Sequence, residues 1–182
     1  MTIANDDQSQ LVIIDIQTKL CHVMPAEAMQ KVIKNTGILL QAANLLQVPT
    51  VATEQYPQAL GETTPDVSQY FGGLNPVAKT AFSACAEPKF KAHCQRDKSH
   101  IILVGLETHI CVLQTALDFI SQGKKVFAVE DAVISRNPSN KANAIARMRD
   151  AGCIITNTES VLFEWLGNAQ HEAFKVLSKL IK

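Results

Sequence analysis

The sequence predicts an α/β protein, a single domain over residues 1–182 in which a doubly wound, mostly parallel sheet of about six strands lies between two layers of helices. Short apolar runs such as LVIID (11–15) and IILVG (101–105) alternate with longer amphipathic segments, as strands and crossover helices do in a parallel sheet. The length of 182 residues fits one domain, and 47% hydrophobic against 19% charged residues is typical of a globular protein.

The elements follow from hydrophobic periodicity. The predicted strands are 11–15, 49–57, a short step that opens 76–85, 101–105, a strand in 124–133 that ends at Glu130 and Asp131, and one in CIITNTES. The predicted helices are 26–47, 87–96, one starting near Ile110, 137–152, 160–166 and 170–181. Residues 57–76 contain three prolines and three glycines and predict a long, functional loop with at most a short helix.

Composition argues against several classes of protein. The 17 basic and 17 acidic side chains balance, which disfavours a nucleic-acid partner. No apolar run approaches a membrane span, and the polar start MTIANDDQSQ predicts neither a signal nor a transit peptide. We therefore expect no membrane partner. Five cysteines without a CxxC motif are typical of reduced thiols, so we expect a cytoplasmic protein.

Cys111 is the first candidate for chemistry. On a helix that starts near Ile110, Cys111 lies opposite the apolar face, together with Thr115 and Asp118. The N-terminus of a helix favours a thiolate over a thiol. If the amides of Ile110 and Cys111 face a substrate carbonyl, the same turn supplies an oxyanion hole. The alternative is a small buried hydrophobic residue.

Asp15 and Lys79 follow two other apolar runs. If all three runs are parallel strands, their carboxyl ends share one edge of the sheet, and Asp15, Lys79 and Cys111 converge there. A buried carboxylate needs a partner, which Lys79 can supply. The alternatives are an Asp that caps a turn and a solvated lysine.

Other residues are candidates for the pocket. Glu54, Gln55 and Tyr56 follow the second strand and form either a pocket rim or a polar loop. We predict Gln17, Tyr56, Phe82 and His109 as substrate-binding residues. His109 ranks as a pocket residue first and as a base for Cys111 second, because residues two apart on a helix point to different sides.

No nucleotide-binding or metal-binding motif stands out. GxGxxG does not follow the first strand, GxxxxGK[ST] is absent, and the five histidines lack the spacing of metal ligands. We therefore expect no cofactor and no metal.

Asp15 after the first strand, Lys79 after the third and THIC (108–111) occur in an order that resembles the isochorismatase-like cysteine hydrolases over nearly the whole chain. The resemblance implies that Asp15, Lys79 and Cys111 form the catalytic set. TEQYPQALG resembles the isochorismatase domain-containing subgroup, whose natural substrates are poorly defined. A cis peptide just before the nucleophile is also implied, near His109 and Ile110.

Differences within the family narrow the chemistry that the resemblance implies. Nicotinamidases hold a metal through an Asp and histidines after the second strand, whereas TEQYPQALG contains neither residue type. True isochorismatases act on a vinyl ether without the cysteine, so Cys111 points to amide or ester hydrolysis of a small molecule through a covalent acyl-enzyme. Relatives are usually homo-oligomers. A catalytically idle small-ligand or protein-binding module and a nuclease are the alternative functions.

Overall fold

The computed structural model describes residues 3–182, and its centre is a sheet of six parallel strands in the order β3-β2-β1-β4-β5-β6. The strands are β1 Ser9–Ile14, β2 Thr50–Gln55, β3 Val77–Lys79, β4 His100–Leu106, β5 Lys125–Ile134 and β6 Ile154–Thr156. The predicted doubly wound α/β/α architecture with about six strands is confirmed, and the sheet is entirely parallel.

Helices cover both faces of the sheet. They are α1 Thr18–His22, α2 Ala26–Leu46, α3 Pro57–Leu60, α4 Pro65–Ser68, α5 Pro88–His93, α6 Leu113–Ser121, α7 Pro138–Asp150, α8 Thr158–Leu166 and α9 Phe174–Leu177. The apolar sides of α2, α8 and α9 pack on one face, and those of α5, α6 and α7 pack on the other. Within residues 3–182, no helix has the length and apolar character needed to cross a bilayer.

The two central strands are buried on both faces. In β1, Leu11 and Ile13 join the core under α2, whereas Val12 and Ile14 join the core under α6. Successive side chains of a strand point to opposite faces, so a strand covered on both sides needs a continuous apolar run. This requirement explains why LVII was recognisable as a strand from sequence alone.

The winding of the sheet reverses between β1 and β4. The chain winds from β1 to β2 and β3 on one side, and then crosses to β4 on the other side. Where the winding reverses, the connections at the carboxyl ends of the two strands diverge and leave a cleft. Asp15 follows β1, and a wide helical turn, Thr108–Val112, follows β4.

Two predicted elements are corrected. The fifth strand does not end at Glu130 and Asp131. Against β4, its register moves from Leu103↔Ala128 to Gly105↔Val133, so residues 129–132 bulge before the strand resumes and ends at Ile134. The helix predicted over 170–181 is limited to the short α9, Phe174–Leu177.

Candidate active site

Asp15 and Lys79 form a salt bridge in the interior. Lys79 Nζ donates to Asp15 Oδ2 at 2.8 Å, and neither side chain is exposed to solvent. Lys79 is the last residue of β3 and Asp15 follows β1, so the parallel sheet brings together two residues 64 positions apart. A buried charge is tolerated only when it is compensated, and here the carboxylate and the ammonium compensate each other.

The backbone and a neighbouring hydroxyl fix the Asp15 carboxylate. Asp15 has φ 51°, a left-handed conformation that turns the chain sharply at the end of β1. Thr53 Oγ1 of β2 donates to Asp15 Oδ1 at 2.7 Å. Each carboxylate oxygen therefore accepts one bond from the protein and keeps a further lone pair for a proton.

Cys111 lies in the wide turn at the head of α6 and is only 7% exposed. Its expected position away from the apolar core is wrong, because the connection before α5 covers the polar side of α6. Ala84 N donates to Thr115 Oγ1 at 2.9 Å, and Ser83 Oγ donates to Asp118 Oδ2 at 2.5 Å. Thr115 and Asp118 are thereby covered, and Cys111 belongs to the core under α6.

The thiol of Cys111 is protonated at rest. Burial raises the pKa of the Cys111 thiol to about 12, and the charge of Asp15 adds to the rise while that of Lys79 opposes it. The expected thiolate at a helix N-terminus is therefore corrected. Gln55 Oε1, which accepts from Lys79 Nζ, lies 4.0 Å from Cys111 Sγ and so links the thiol to the Asp15–Lys79 pair.

One of the two amides of the predicted oxyanion hole already donates a hydrogen bond within the protein. The Ile110 amide donates to the Glu107 carbonyl oxygen at 3.0 Å, which removes it as a free donor. The Cys111 amide is left as the candidate. The cis peptide joins Leu106 to Glu107, and this corrects the expected position near His109 and Ile110.

Tyr56 and Phe82 flank the Asp15–Lys79 pair. Tyr56 N donates to Lys79 O at 2.8 Å, and Lys79 Nζ donates to Phe82 O at 3.2 Å. Their side chains are 53% and 55% exposed. The backbones of two exposed aromatic residues therefore lie next to Lys79.

Gln17 does not line a pocket. It is fully buried, donates from Nε2 to Gln55 O at 3.0 Å and to Gly61 O at 2.6 Å, and accepts from Gln55 N at 2.8 Å. These contacts satisfy its amide, so its prediction as a substrate-binding residue is corrected. Gln17 instead holds the end of β2 to the loop after α3.

His109 is braced against the next strand and helix. Its Nδ1 lies 2.9 Å from Ser135 Oγ, and its Nε2 lies 3.3 Å from Asn140 Nδ2. With both ring nitrogens engaged, His109 has no free nitrogen to take the Cys111 proton. This geometry contradicts its second predicted role as a base.

A salt bridge between Glu107 and Arg136, next to the turn that carries Cys111, was not predicted from sequence. The Glu107 carboxylate, 7% exposed, accepts from Arg136 N and Nε, both at 3.0 Å. Glu107 precedes the turn that carries Cys111, and Arg136 follows β5. Together with His109, this pair anchors the turn. A buried acid after a strand was the available signal, but its partner is 29 residues away.

The described residues contain no cluster of three or more His, Cys, Asp or Glu side chains that could hold a metal ion. A mostly apolar cavity of about 510 Å³ lies between α2 and the β5–α7 connection, with Ser135 in its wall. Ser135 in turn contacts His109, two residues before Cys111.

Comparisons with known proteins agree with this fold. The Isochorismatase domain model matches residues 9–160. Isochorismatase domain-containing protein 2 of Bos taurus is 37% identical over 174 residues, which are 96% of this chain and 83% of the relative. The structure titled MAR1 ribonuclease from Caenorhabditis elegans superposes with a TM-score of 0.92 at 35% identity, covering 99% of this chain and 92% of that one.

An octameric hydrolase of unknown specificity from Escherichia coli superposes with a TM-score of 0.90. The match covers 100% of this chain and 90% of that one, and at 22% identity it supports the fold alone. The domain match and the bovine relative each cover most of the chain. This chain belongs to the isochorismatase family.

Proposed function

We propose that this protein is a cysteine hydrolase that cleaves a small amide or ester through a covalent acyl-enzyme. Membership of the isochorismatase family supports a hydrolase. The observation that carries the finer proposal is the fully buried Asp15–Lys79 pair, 2.8 Å apart, which Gln55 Oε1 links to the Cys111 thiol. A nucleophile, a proton acceptor and a fixed positive charge are the groups that acyl transfer requires.

In the first step, Cys111 Sγ attacks the carbonyl carbon while its proton moves to Asp15. The carbonyl electron pair moves to oxygen, and its return expels the amine or alcohol, which takes the proton from Asp15. In the second step, Asp15 takes a proton from water, and the hydroxide adds to the thioester. Collapse releases the acid, and the sulfur regains the proton from Asp15. One water is consumed for each bond cleaved.

The protonated thiol determines when the proton must move. Because burial raises its pKa to about 12, the Cys111 thiol is protonated at pH 7. A preformed thiolate is therefore too scarce, and proton transfer to Asp15 accompanies the attack. Lys79 holds Asp15 in place and stabilises the negative charge that passes between sulfur and carboxylate.

Substrate recognition is proposed for the groups around the opening. The Cys111 amide stabilises the oxyanion, and loss of such a donor typically costs on the order of 10²- to 10³-fold in rate. Tyr56 and Phe82 offer apolar contacts to the acyl or leaving group. His109, whose side chain is 24% exposed and which lies two residues from Cys111, is a further proposed substrate contact.

The test is a panel of p-nitrophenyl esters and small amides, assayed with the wild type and with Cys111→Ala. We expect a burst of about one p-nitrophenol per chain, and an acyl group on the Cys111 peptide in mass spectra after acid quenching. Cys111→Ala should abolish both signals, whereas Cys21→Ala, which changes another free and partly buried cysteine, should keep them.

Asp15→Asn separates a hydrolase from an idle binding module. If Asp15 is the base, this variant should lower acylation by about 10²- to 10⁴-fold, measured on protein that circular dichroism shows to be folded. Hydrolysis that survives in Cys111→Ala would contradict the proposal. If no acyl group from the panel reaches Cys111, and iodoacetamide modifies Cys111 equally fast in wild type and Asp15→Asn, the binding module is favoured.

Ribonuclease activity is the second candidate, because the relative from C. elegans carries that name. The balance of 17 basic and 17 acidic side chains gives little attraction to phosphates. A labelled single-stranded RNA incubated with wild type and with Cys111→Ala tests it. Cleavage by both proteins would support a nuclease that does not use the cysteine.

We further propose a homo-oligomer in the cytoplasm. The E. coli neighbour is an octamer, and exposed apolar side chains such as Val23, Leu45 and Val176 are available for contacts between subunits. All five cysteines are free, as expected in a reducing compartment. Light scattering after gel filtration should give a multiple of 19.9 kDa, and a mass of one chain would contradict the oligomer.

A further inference from the structure

Gln55 connects the proposed base, its lysine and the nucleophile. It is the last residue of β2, between the strands that supply Asp15 and Lys79. Its Oε1 accepts a hydrogen bond from Lys79 Nζ at 2.6 Å and lies 4.0 Å from Cys111 Sγ. One oxygen atom therefore contacts both the ammonium and the thiol.

The orientation of this amide is determined at both ends. Lys79 can only donate, so the atom that faces it is the oxygen. Gln55 Nε2 donates to Thr80 O at 2.8 Å, and that carbonyl can only accept. A flipped amide would place a donor against an ammonium and an acceptor against a carbonyl. The thiol therefore always meets the amide oxygen.

The backbone of Gln55 is held as firmly as its side chain. Gln17 clamps it, accepting from Gln55 N at 2.8 Å and donating to Gln55 O at 3.0 Å. Gln17 is fully buried, so water does not compete for these bonds. A side chain fixed at both its backbone and its amide can hold a neighbour within a few tenths of an ångström.

We propose that Gln55 is a positioning residue for the nucleophile, an inference that rests on the proposed function. Its Oε1 accepts the S–H of the resting thiol and one N–H of Lys79. These two contacts hold the sulfur beside Asp15 and keep the ammonium pointed into the cleft. When the proton moves to Asp15, the bond from S–H is lost, and the charge of Lys79 is already in place.

The proposal predicts opposite effects of two substitutions on the thiol. Gln55→Met keeps the length of the side chain but removes the acceptor, which frees a Lys79 N–H for the sulfur and makes the thiolate easier to form. Gln55→Glu keeps the acceptor and adds a negative charge beside the sulfur, which makes the thiolate harder to form. Gln58→Glu adds the same charge three residues further along, on an exposed side chain, and is the matched control.

The experiment measures the rate of Cys111 modification by iodoacetamide between pH 7 and 9, by peptide mass spectrometry of the full chain. A negative charge this close to the sulfur should raise the pKa of the Cys111 thiol by about one unit. One unit is tenfold in thiolate fraction, so Cys111 in Gln55→Glu should react about tenfold more slowly at each pH. Gln55→Met should react several-fold faster, and Gln58→Glu should match the wild type.

Hydrolysis of a panel ester gives the second readout. Both Gln55 variants should lower kcat by about tenfold or more while KM changes little, because the lost contacts position the sulfur and not the substrate. The opposite signs in alkylation distinguish positioning from local unfolding, which would speed alkylation in both variants. If Gln55→Met fails to fold, Gln55→Glu, which matches the native side chain in size, still decides the sign.

Alkylation rates and kcat of both Gln55 variants within twofold of Gln58→Glu would overturn the positioning role. That result leaves the proposed function intact if Cys111→Ala is inactive. Failure of the proposed function has a different signature, since hydrolysis would then persist in Cys111→Ala whatever stands at position 55.

Discussion

The Asp15 carboxylate and the Lys79 ammonium neutralise each other in the interior of the protein, away from solvent. Neither side chain is exposed, and further partners of Lys79 Nζ are the carbonyl oxygens of Ala81 and Phe82, each at 3.2 Å. Removing one member of a buried pair leaves the other charge uncompensated in the interior. The pair that is proposed to run the chemistry is therefore also a point where the fold is vulnerable.

Lys79→Met should destabilise the protein by about 3–5 kcal/mol, because Asp15 is left buried and unpaired. Urea unfolding followed by circular dichroism measures the loss. Asp15→Asn combined with Lys79→Met should be less destabilising than Lys79→Met alone, since no charge remains. Lys89→Met, on an exposed side chain, is the control. A loss below about 1 kcal/mol in Lys79→Met would show that water reaches Asp15.

At the scale of elements, Gly105 allows β1 and β4 to approach at the cleft. It pairs with Ile14, the residue before Asp15, and has φ 120°. A Cβ at this position would lie 2.0 Å from the Ile14 carbonyl oxygen, a backbone atom that cannot move aside alone. The glycine is therefore required by the spacing of the strands that carry Asp15 and the Cys111 turn.

Gly105→Ala should cost about 3 kcal/mol or more, from backbone strain together with the collision. For a chain of this size, the melting temperature should fall by about 6–12 °C. Gly123→Ala is the control, since Gly123 also has positive φ but nothing lies within 4 Å of the added atom, and about 1 kcal/mol is expected there. Equal losses in the two variants would mean that the collision adds nothing.

At the scale of the whole molecule, buried titratable groups limit the pH range of stability. His100 is buried, its Nδ1 accepts from Asn5 N at 3.3 Å, and among residues 3–182 its Nε2 has no partner. Burial lowers the pKa of His100 below its usual 6.5, and the charge of Lys125 adds to this. Below pH 6.5 the unfolded chain binds a proton that the folded chain refuses, so stability falls as the pH falls.

His100→Asn should flatten this dependence. Between pH 7 and pH 5.5, the slope of the unfolding free energy against pH should decrease by at most about 1.4 kcal/mol per pH unit. This is the largest slope that the uptake of one proton can cause. His22→Asn, on an exposed ring, should leave the slope unchanged. An unchanged slope in His100→Asn would contradict the lowered pKa.

The thiols limit stability at the alkaline end. Burial raises the pKa of Cys85, Cys111 and Cys153 to about 12, from an ordinary value of 9.0. Above pH 9 the unfolded thiols lose protons that the folded ones keep, so stability falls as the pH rises. Cys153→Ala should reduce the loss between pH 8 and pH 10 relative to wild type. An equal loss in both proteins would contradict this origin.

The architecture, and the sheet edge that Asp15, Lys79 and Cys111 share, could be predicted from the sequence because both depend on short-range patterns. A strand buried on two faces must be a continuous apolar run, and the carboxyl ends of parallel strands share an edge. The pattern failed where a strand was interrupted, as at the bulge of residues 129–132, where Glu130 and Asp131 imitate a strand end.

By itself, the sequence determined the family, the order of the elements and the edge at which Asp15, Lys79 and Cys111 meet. Only the tertiary structure decided the state of the groups there: the protonated thiol, the occupied Ile110 amide, the satisfied Gln17 and the oxygen of Gln55 between Lys79 and Cys111. These properties depend on burial and on contacts between residues as many as 64 positions apart. No local periodicity encodes them, because each is set by which distant segment covers the side chain.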